Sequence, residues 1–226
     1  MTNIVLSQRL SRVAAFIPKG SRLADIGSDH AYLPLFLVGR GHIPYAIAGE
    51  VAQGPYRSTC SHIKANHCHG QIVARLASGL EAIDKQDGIT AISICGMGGR
   101  LITDILADGK HRLYGVEDLV LQPNNREDDL REWLSGNDWA IYEEAIVEEK
   151  GSYYEIIHAK PGYQSLSPFD KRFGPYLRQE QSPAFCAKWQ KEKQQLEAIF
   201  EWIPAENRTN RQEIAERLAA IKEVLA

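Results

Sequence analysis

A chain of 226 residues that is 44% apolar and 24% charged is long enough for one α/β domain with a smaller appendage, and too hydrophobic for the disordered class. Its longest apolar runs, such as Ala91 to Cys95, fall well short of the ~20 residues that cross a bilayer, and no signal-peptide core follows Arg9 and Arg12. The four cysteines lack framework spacing and the net charge is only −3, so we expect reduced thiols in a cytoplasmic protein that does not coat nucleic acid non-specifically.

Leu6, Leu10, Val13, Ala14 and Ile17 recur at helical spacing, which predicts a helix over 6–17 closed by Pro18-Lys19-Gly20. A strand follows over 22–26, stopping at Gly27, then a helix over 32–38. Strand and helix alternate again over 45–49 and 54–66, and a third strand covers 72–77. A fourth strand over 89–94 runs into Gly96-Met97-Gly98-Gly99, with a helix over 100–106 behind it. A fifth over 118–121 ends at Pro123 and leads to a helix over 128–135. The runs 139–149 and 153–159 flank Lys150-Gly151-Ser152 and read as an antiparallel pair. Short Ile-, Val- and Leu-rich strands alternating with helices imply a parallel sheet buried on both faces. The fold class is therefore α/β, a Rossmann-like sheet over 1–160.

Pro161-Gly162 marks the boundary to a helical domain over 161–226. Residues 1–160 carry 16 Lys and Arg against 20 Asp and Glu, whereas 161–226 carry 10 against 9, so any basic patch is local. Phe169, Phe173, Tyr176 and Leu177 fit one helical face. Phe185, Trp189, Leu196, Ile199 and Ile203 form a stripe with Glu192 as its polar break. After a turn over 204–207, Ile214, Leu218, Ile221 and Leu225 repeat the spacing, so an antiparallel, coiled-coil-like hairpin is expected. Trp189 reads as core rather than as an RNA-stacking surface. Lys188, Lys191, Lys193, Arg208, Arg211 and Arg217 read partly as a solvated face and partly as phosphate contacts.

Ligands of open α/β sheets bind beyond the carboxyl ends of the strands. Gly27 permits a tight turn there, and Asp25 is placed to hold the turn's amides or a cationic group. Glu50, after the second strand, is placed to accept from two ribose hydroxyls, and Ser78-Gly79 to wall an adenine ring. A pyrophosphate loop would follow G-x-G-x-x-G, but after Gly27 this chain has Asp29 and Ala31 rather than glycines, and Asp29 stands where the second glycine belongs. Asp29 would repel a diphosphate and suit the sulfonium and ammonium of S-adenosylmethionine (SAM). The plainer reading of Asp25 and Asp29 is as helix caps, and that of the glycine run a tight turn. Cys60, His62, His67, Cys68 and His69 crowd together without a metal-site spacing, so no obligatory metal is expected.

Asp25-Ile26-Gly27-Ser28-Asp29-His30-Ala31-Tyr32-Leu33-Pro34, Gly49-Glu50-Val51, Ser78-Gly79-Leu80, Gly96-Met97-Gly98-Gly99, Leu121-Gln122-Pro123-Asn124 and Gly151-Ser152-Tyr153-Tyr154-Glu155 together resemble the bacterial tRNA (adenine-22-N1)-methyltransferases. The resemblance implies a class I methyltransferase sheet, SAM as cofactor, tRNA as substrate, and N1 of a D-arm adenine as acceptor. The implied cofactor set is Asp25, Gly27, Ser28, Glu50, Val51, Ser78, Gly79, Gly96, Met97 and Gly98. On the acceptor side stand Asp29, foremost, with His30, to orient the adenine amino group or take up a proton, Tyr32 to stack, and Asn124 to read the base edge. The glycine run replaces the Asn/Asp-Pro-Pro-aromatic loop of many amino-methylating enzymes, as suits a ring nitrogen whose lone pair already lies in plane. Positioning and desolvation would then carry most of the rate, and the base must be unpaired or flipped out. No membrane partner is expected, and a monomer is favoured. Two other readings stay open: a methyltransferase acting on another RNA or small molecule, and a non-catalytic SAM- or RNA-binding protein.

Overall fold

Seven short runs become strands: β1 Arg22–Ile26, β2 Tyr45–Glu50, β3 Ile72–Leu76, β4 Ala91–Met97, β5 Asp118–Pro123, β6 Trp139–Glu149 and β7 Ser152–Pro161. In the computed structural model, which describes residues 4–226, they form one sheet in the order β3-β2-β1-β4-β5-β7-β6. Residues 1–3 of the expected 1–160 domain lie outside the described residues. The first five strands pair in parallel, and β7 runs antiparallel to both β5 and β6. The strand order reverses between β1 and β4, which opens a crevice at their carboxyl ends.

Helices α1 Gln8–Phe16, α2 Tyr32–Gly39, α3 Gln53–Ala65, α4 Gly99–Asp108 and α5 Glu127–Gly136 pack on this sheet. Local chemistry sets their ends. Ser7 caps α1 by accepting from the Leu10 N–H, so the helix starts two residues later than its apolar spacing. Glu127, Asp128 and Asp129 put three carboxylates in the first turn of α5, where the helix dipole favours them. Ile89 packs in the core ahead of β4, which begins only at Ala91. Leu23, Ala46, Ile92, Leu119 and Ile157 are fully shielded, as strands covered on both faces require.

The chain divides into two compact units, the first ending at Ser165 and the second spanning Leu166–Ala226. The second holds α6 Pro168–Phe173, α7 Leu177–Glu180, α8 Pro183–Trp202 and α9 Arg208–Val224. The single face expected across Phe169, Phe173, Tyr176 and Leu177 is broken: Gly174 takes φ 79° ahead of Pro175, and Tyr176 is 40% exposed. Helices α8 and α9 pair as a hairpin. Phe185, Trp189 and Leu196 are buried, but Ile199, counted in the same stripe, is 50% exposed. Glu192 is bonded to Arg172 and Arg217, which accounts for a polar residue in that stripe. Arg211 donates to the Phe200 and Ile203 carbonyls and so closes the end of α8. Arg211 and Arg217 are thereby engaged within the unit.

Candidate active site

The parallel register sets Asp25 on β1 beside Ser93 on β4. The Ser93 and Ser28 hydroxyls each donate to the Asp25 carboxylate at 2.6 Å. Burial pushes this carboxyl up to about 6, against the two hydroxyls, which lower it; Glu50 raises it further and Arg9 lowers it. Asp25 therefore neither caps α2 nor holds the turn's amides. The cap position of α2 is Ala31, with no side-chain bond.

Between β1 and α2 the chain turns through Asp29, His30 and Ala31 at φ 42°, 67° and 57°, three successive left-handed residues without a glycine among them. Strain of this kind persists only where the surroundings impose it. Here the Glu50 carboxylate accepts the Asp29 N–H, the His62 ring nitrogen bonds the His30 carbonyl at 3.2 Å, and the Gly27 and Ser28 N–H groups donate to the Gly49 carbonyl. Glu50 is buried, which raises its carboxyl, while the Thr59 hydroxyl and the Asp29 N–H lower it.

The turn opens onto a hollow of about 320 Å³ at the switch between β1 and β4. Asp25, Gly27, Ser28, Asp29, Tyr32, Gly96, Met97 and Asn124 of the expected residues line it. Asp29 is at the rim, its side chain 83% exposed, and Tyr32 is 41% exposed. His30 does not line the hollow. Its ring packs in a triangle with those of Tyr32 and His62, with centroids 5.6 and 5.0 Å away, and its Nδ1 is buried without a partner. Nor do Glu50, Val51, Ser78, Gly79 or Gly98 line it. Glu50 acts on the turn, Val51 is 75% exposed, and Gly79 opens a short 3₁₀ turn against Ile105.

The glycines are spent differently from expectation. A Cβ on Gly27 would sit 2.1 Å from Met97 Cε, and one on Gly99 2.1 Å from the Arg126 carbonyl oxygen. The space at both belongs to the protein's own chain. Only Gly96, at φ 76°, keeps an open face into the hollow, with Arg9 beyond it.

Five lining residues were missed by the strand-end logic: Arg9, Leu10, Leu33, Cys95 and Tyr154. Arg9 reaches in from α1, donating to Gln122 Oε1 and lying 5.5 Å from the centre of the Tyr154 ring. Tyr154 comes from β7, and Cys95 completes the β4 wall. A regular 3.6-residue pattern in α1 was the only signal for Arg9, and it does not say which face meets the sheet end.

Two larger hollows exist. One of about 600 Å³, lined by Ile83, Lys85, Ile89 and Arg112, lies by the amino ends of the strands. One of about 650 Å³ includes Cys60, His67 and His69. Among the described residues no three His, Cys, Asp or Glu side chains converge as metal ligands, and no helix is long and apolar enough to cross a membrane. Chemistry rather than size selects the hollow at the switch point: two carboxylates, a guanidinium and a carboxamide face one cavity.

A family model described as tRNA (adenine(22)-N(1))-methyltransferase matches residues 23–223. The Bacillus subtilis (strain 168) protein of that name is 40% identical over 236 aligned residues, covering 100% of this chain and 99% of its own. The solved Streptococcus pneumoniae Sp1610 in complex with S-adenosyl-L-methionine is 49% identical, with a TM-score of 0.93, covering 98% of this chain and 100% of that one. A Mycoplasma capricolum structure with S-adenosyl-homocysteine is 27% identical with a TM-score of 0.88, covering 97% of each chain.

Proposed function

The chain belongs to the tRNA (adenine(22)-N(1))-methyltransferase family and is a SAM-dependent tRNA methyltransferase, and from that premise we propose how its pocket divides the work. When bound, SAM supplies a methyl group activated by a sulfonium. The residues fit such a group: Asp25 and Asp29 offer negative charge to its cationic centres, and Arg9 a positive one to its carboxylate. Gly27, Ser28, Gly96 and Met97 form the wall against which it would lie, and Glu50 supports that wall by fixing the Asp29 turn. Val51, Ser78, Gly79 and Gly98 stay in the proposal as flanking positions.

Methylation at ring N1 leaves the base cationic, so the charge moves from donor to acceptor within one hollow. Asp29 at the rim favours the cation in either place. Tyr32 and Tyr154 flank the opening and are assigned the stacking of an extruded base, and Asn124 its edge. His30 is assigned the support of Tyr32 rather than contact with the base. The enzyme is taken to act in the cytoplasm as a monomer, with the helical unit meeting the tRNA backbone.

The observation that carries this reading is the pair of carboxylates at a switch-point hollow in a chain of this family. The test is methyl transfer to an unmodified tRNA transcript, with the nucleoside identified by mass spectrometry. 1-Methyladenosine is expected at position 22, and none when that adenine is replaced by guanine. Asp29→Ala should lower turnover by about 10- to 100-fold and weaken SAM binding by a smaller factor; unchanged turnover would remove Asp29 from the mechanism.

A further inference from the structure

At the end of β5 the Gln122 carboxamide is fully buried and has every hydrogen-bonding valence engaged. Its Oε1 accepts from Arg9 Nη1 and, at 3.0 Å, from the Gly96 N–H. Its Nε2 donates to the Pro123 carbonyl at 2.7 Å and to Asn124 Oδ1 at 3.2 Å. Turning the amide over would set its N–H groups against two donors and its oxygen against two acceptors. A guanidinium has no acceptor to offer, so Arg9 enforces one orientation.

That orientation is passed on to Asn124. Its Oδ1 faces Gln122, its Nδ2 donates to the Gly96 carbonyl at 2.8 Å, and its backbone N–H donates to the Met97 carbonyl at 2.7 Å. The side chain of Asn124 keeps one N–H and one Oδ1 lone pair, and it lines the hollow.

We propose that Asn124 reads the Hoogsteen edge of the target adenine, accepting from N6–H and donating to N7, and that Gln122 is the positioning residue that fixes Asn124 in that sense. This rests on the reading that N1 of a tRNA adenine is the methyl acceptor. An asparagine carboxamide pairs with adenine N6 and N7 bidentately. The pairing leaves N1 free of protein donors with its lone pair open to the methyl group. Pairing on the Watson–Crick edge would instead put an N–H on N1 itself and block the nucleophile. Guanine shows O6 and N7, both acceptors, to the same carboxamide, so Asn124 Oδ1 would meet O6 and reject it.

The test uses full-length enzyme and two tRNAs that differ at the target position, one with adenosine and one with 7-deazaadenosine, which keeps N1 and N6 but lacks N7. Wild-type kcat/KM should fall about 10- to 100-fold on the 7-deaza tRNA. Asn124→Ala should be slow on both and bring their ratio to about 1. Gln122→Met and Gln122→Glu should also collapse that ratio. Gln122→Glu retains an acceptor for Arg9 and removes both donors, so it isolates the link to Asn124 even if Gln122→Met fails to fold. Equal wild-type rates on the two tRNAs would overturn the Hoogsteen assignment. A slower Gln122→Glu enzyme that keeps the full wild-type ratio would overturn the positioning role. No 1-methyladenosine from wild-type enzyme on the adenosine tRNA would count against the functional assignment itself, and the proposal would fall with it.

Discussion

Each unit gathers three charges into an arginine–glutamate cluster, in opposite ratio and opposite surroundings. In the sheet unit Arg131 of α5 bridges Glu144 of β6 and Glu155 of β7, and all three side chains are 0% exposed. In the helical unit Glu192 of α8 bridges Arg172 of α6 and Arg217 of α9, with side chains 24%, 33% and 41% exposed. Burial works against the Arg131 guanidinium, and the two carboxylates more than reverse it, holding the group above its ordinary value. The same chemistry is thus structural in one place and nearly incidental in the other, because water competes for the second cluster and not for the first.

The sharpest way to break this comparison is Arg131→Met. It should cost ~3–5 kcal/mol of unfolding free energy in urea titrations, because it removes the guanidinium that the buried Glu144 and Glu155 share. Replacing all three charges, Arg131→Met with Glu144→Leu and Glu155→Leu, should recover most of the loss. A single variant as stable as wild type would mean that the buried cluster is no more than a surface one.

Asp25 stands between the two clusters: it is buried like the first but faces hydroxyls rather than a counter-ion. Its carboxyl is raised from 3.8 to about 6, so the folded protein holds this proton more tightly than the unfolded chain. The sign follows. Its contribution is complete below about pH 4 and is lost as pH rises through about 6, a span of ~3 kcal/mol in the ligand-free protein. Asp25→Asn should flatten the pH dependence of the melting temperature over that window. SAM affinity should run the other way in the wild type, tightening from pH 5 to 7 as the carboxylate ionises. A wild-type melting temperature that rises over the same interval would contradict the assignment.

The clusters also mark where sequence reading succeeds and stops. Strands β1, β2, β4 and β5 were legible because runs buried on both faces are mostly apolar and stop at or beside Gly or Pro, and the edge strand β3, fully buried only at Ile72, because its short run is still largely apolar. The Asp25–Tyr32 turn was legible because its residue types contradict a pyrophosphate loop. Arg131 was not, because Glu-Asp-Asp-Leu-Arg-Glu reads as the solvated face of a helix, and its partners lie 13 and 24 residues away. Arg9 and Gln122 escaped for the same reason: their contact spans 113 residues and exists only once α1 has docked. The break at Gly174-Pro175 was there to be read, and helical spacing alone overrode it.

The smallest expected effect belongs to Glu192, and it sharpens the comparison from the other side. Glu192→Gln keeps a side-chain oxygen that Arg172 and Arg217 can both still reach as donors, while removing the charge. The expected cost is about 0–1 kcal/mol. In 1 M salt, where the screening length is about 3 Å, that cost should vanish, whereas the Arg131→Met deficit should persist. Glu192→Leu goes further, because it joins Phe185, Trp189 and Leu196 into an unbroken apolar stripe. If solvation is what separates the clusters, this variant is as stable as wild type or slightly more so. A loss comparable to that of Arg131→Met would show instead that Glu192 organises α6, α8 and α9, and that the two clusters differ in exposure but not in role.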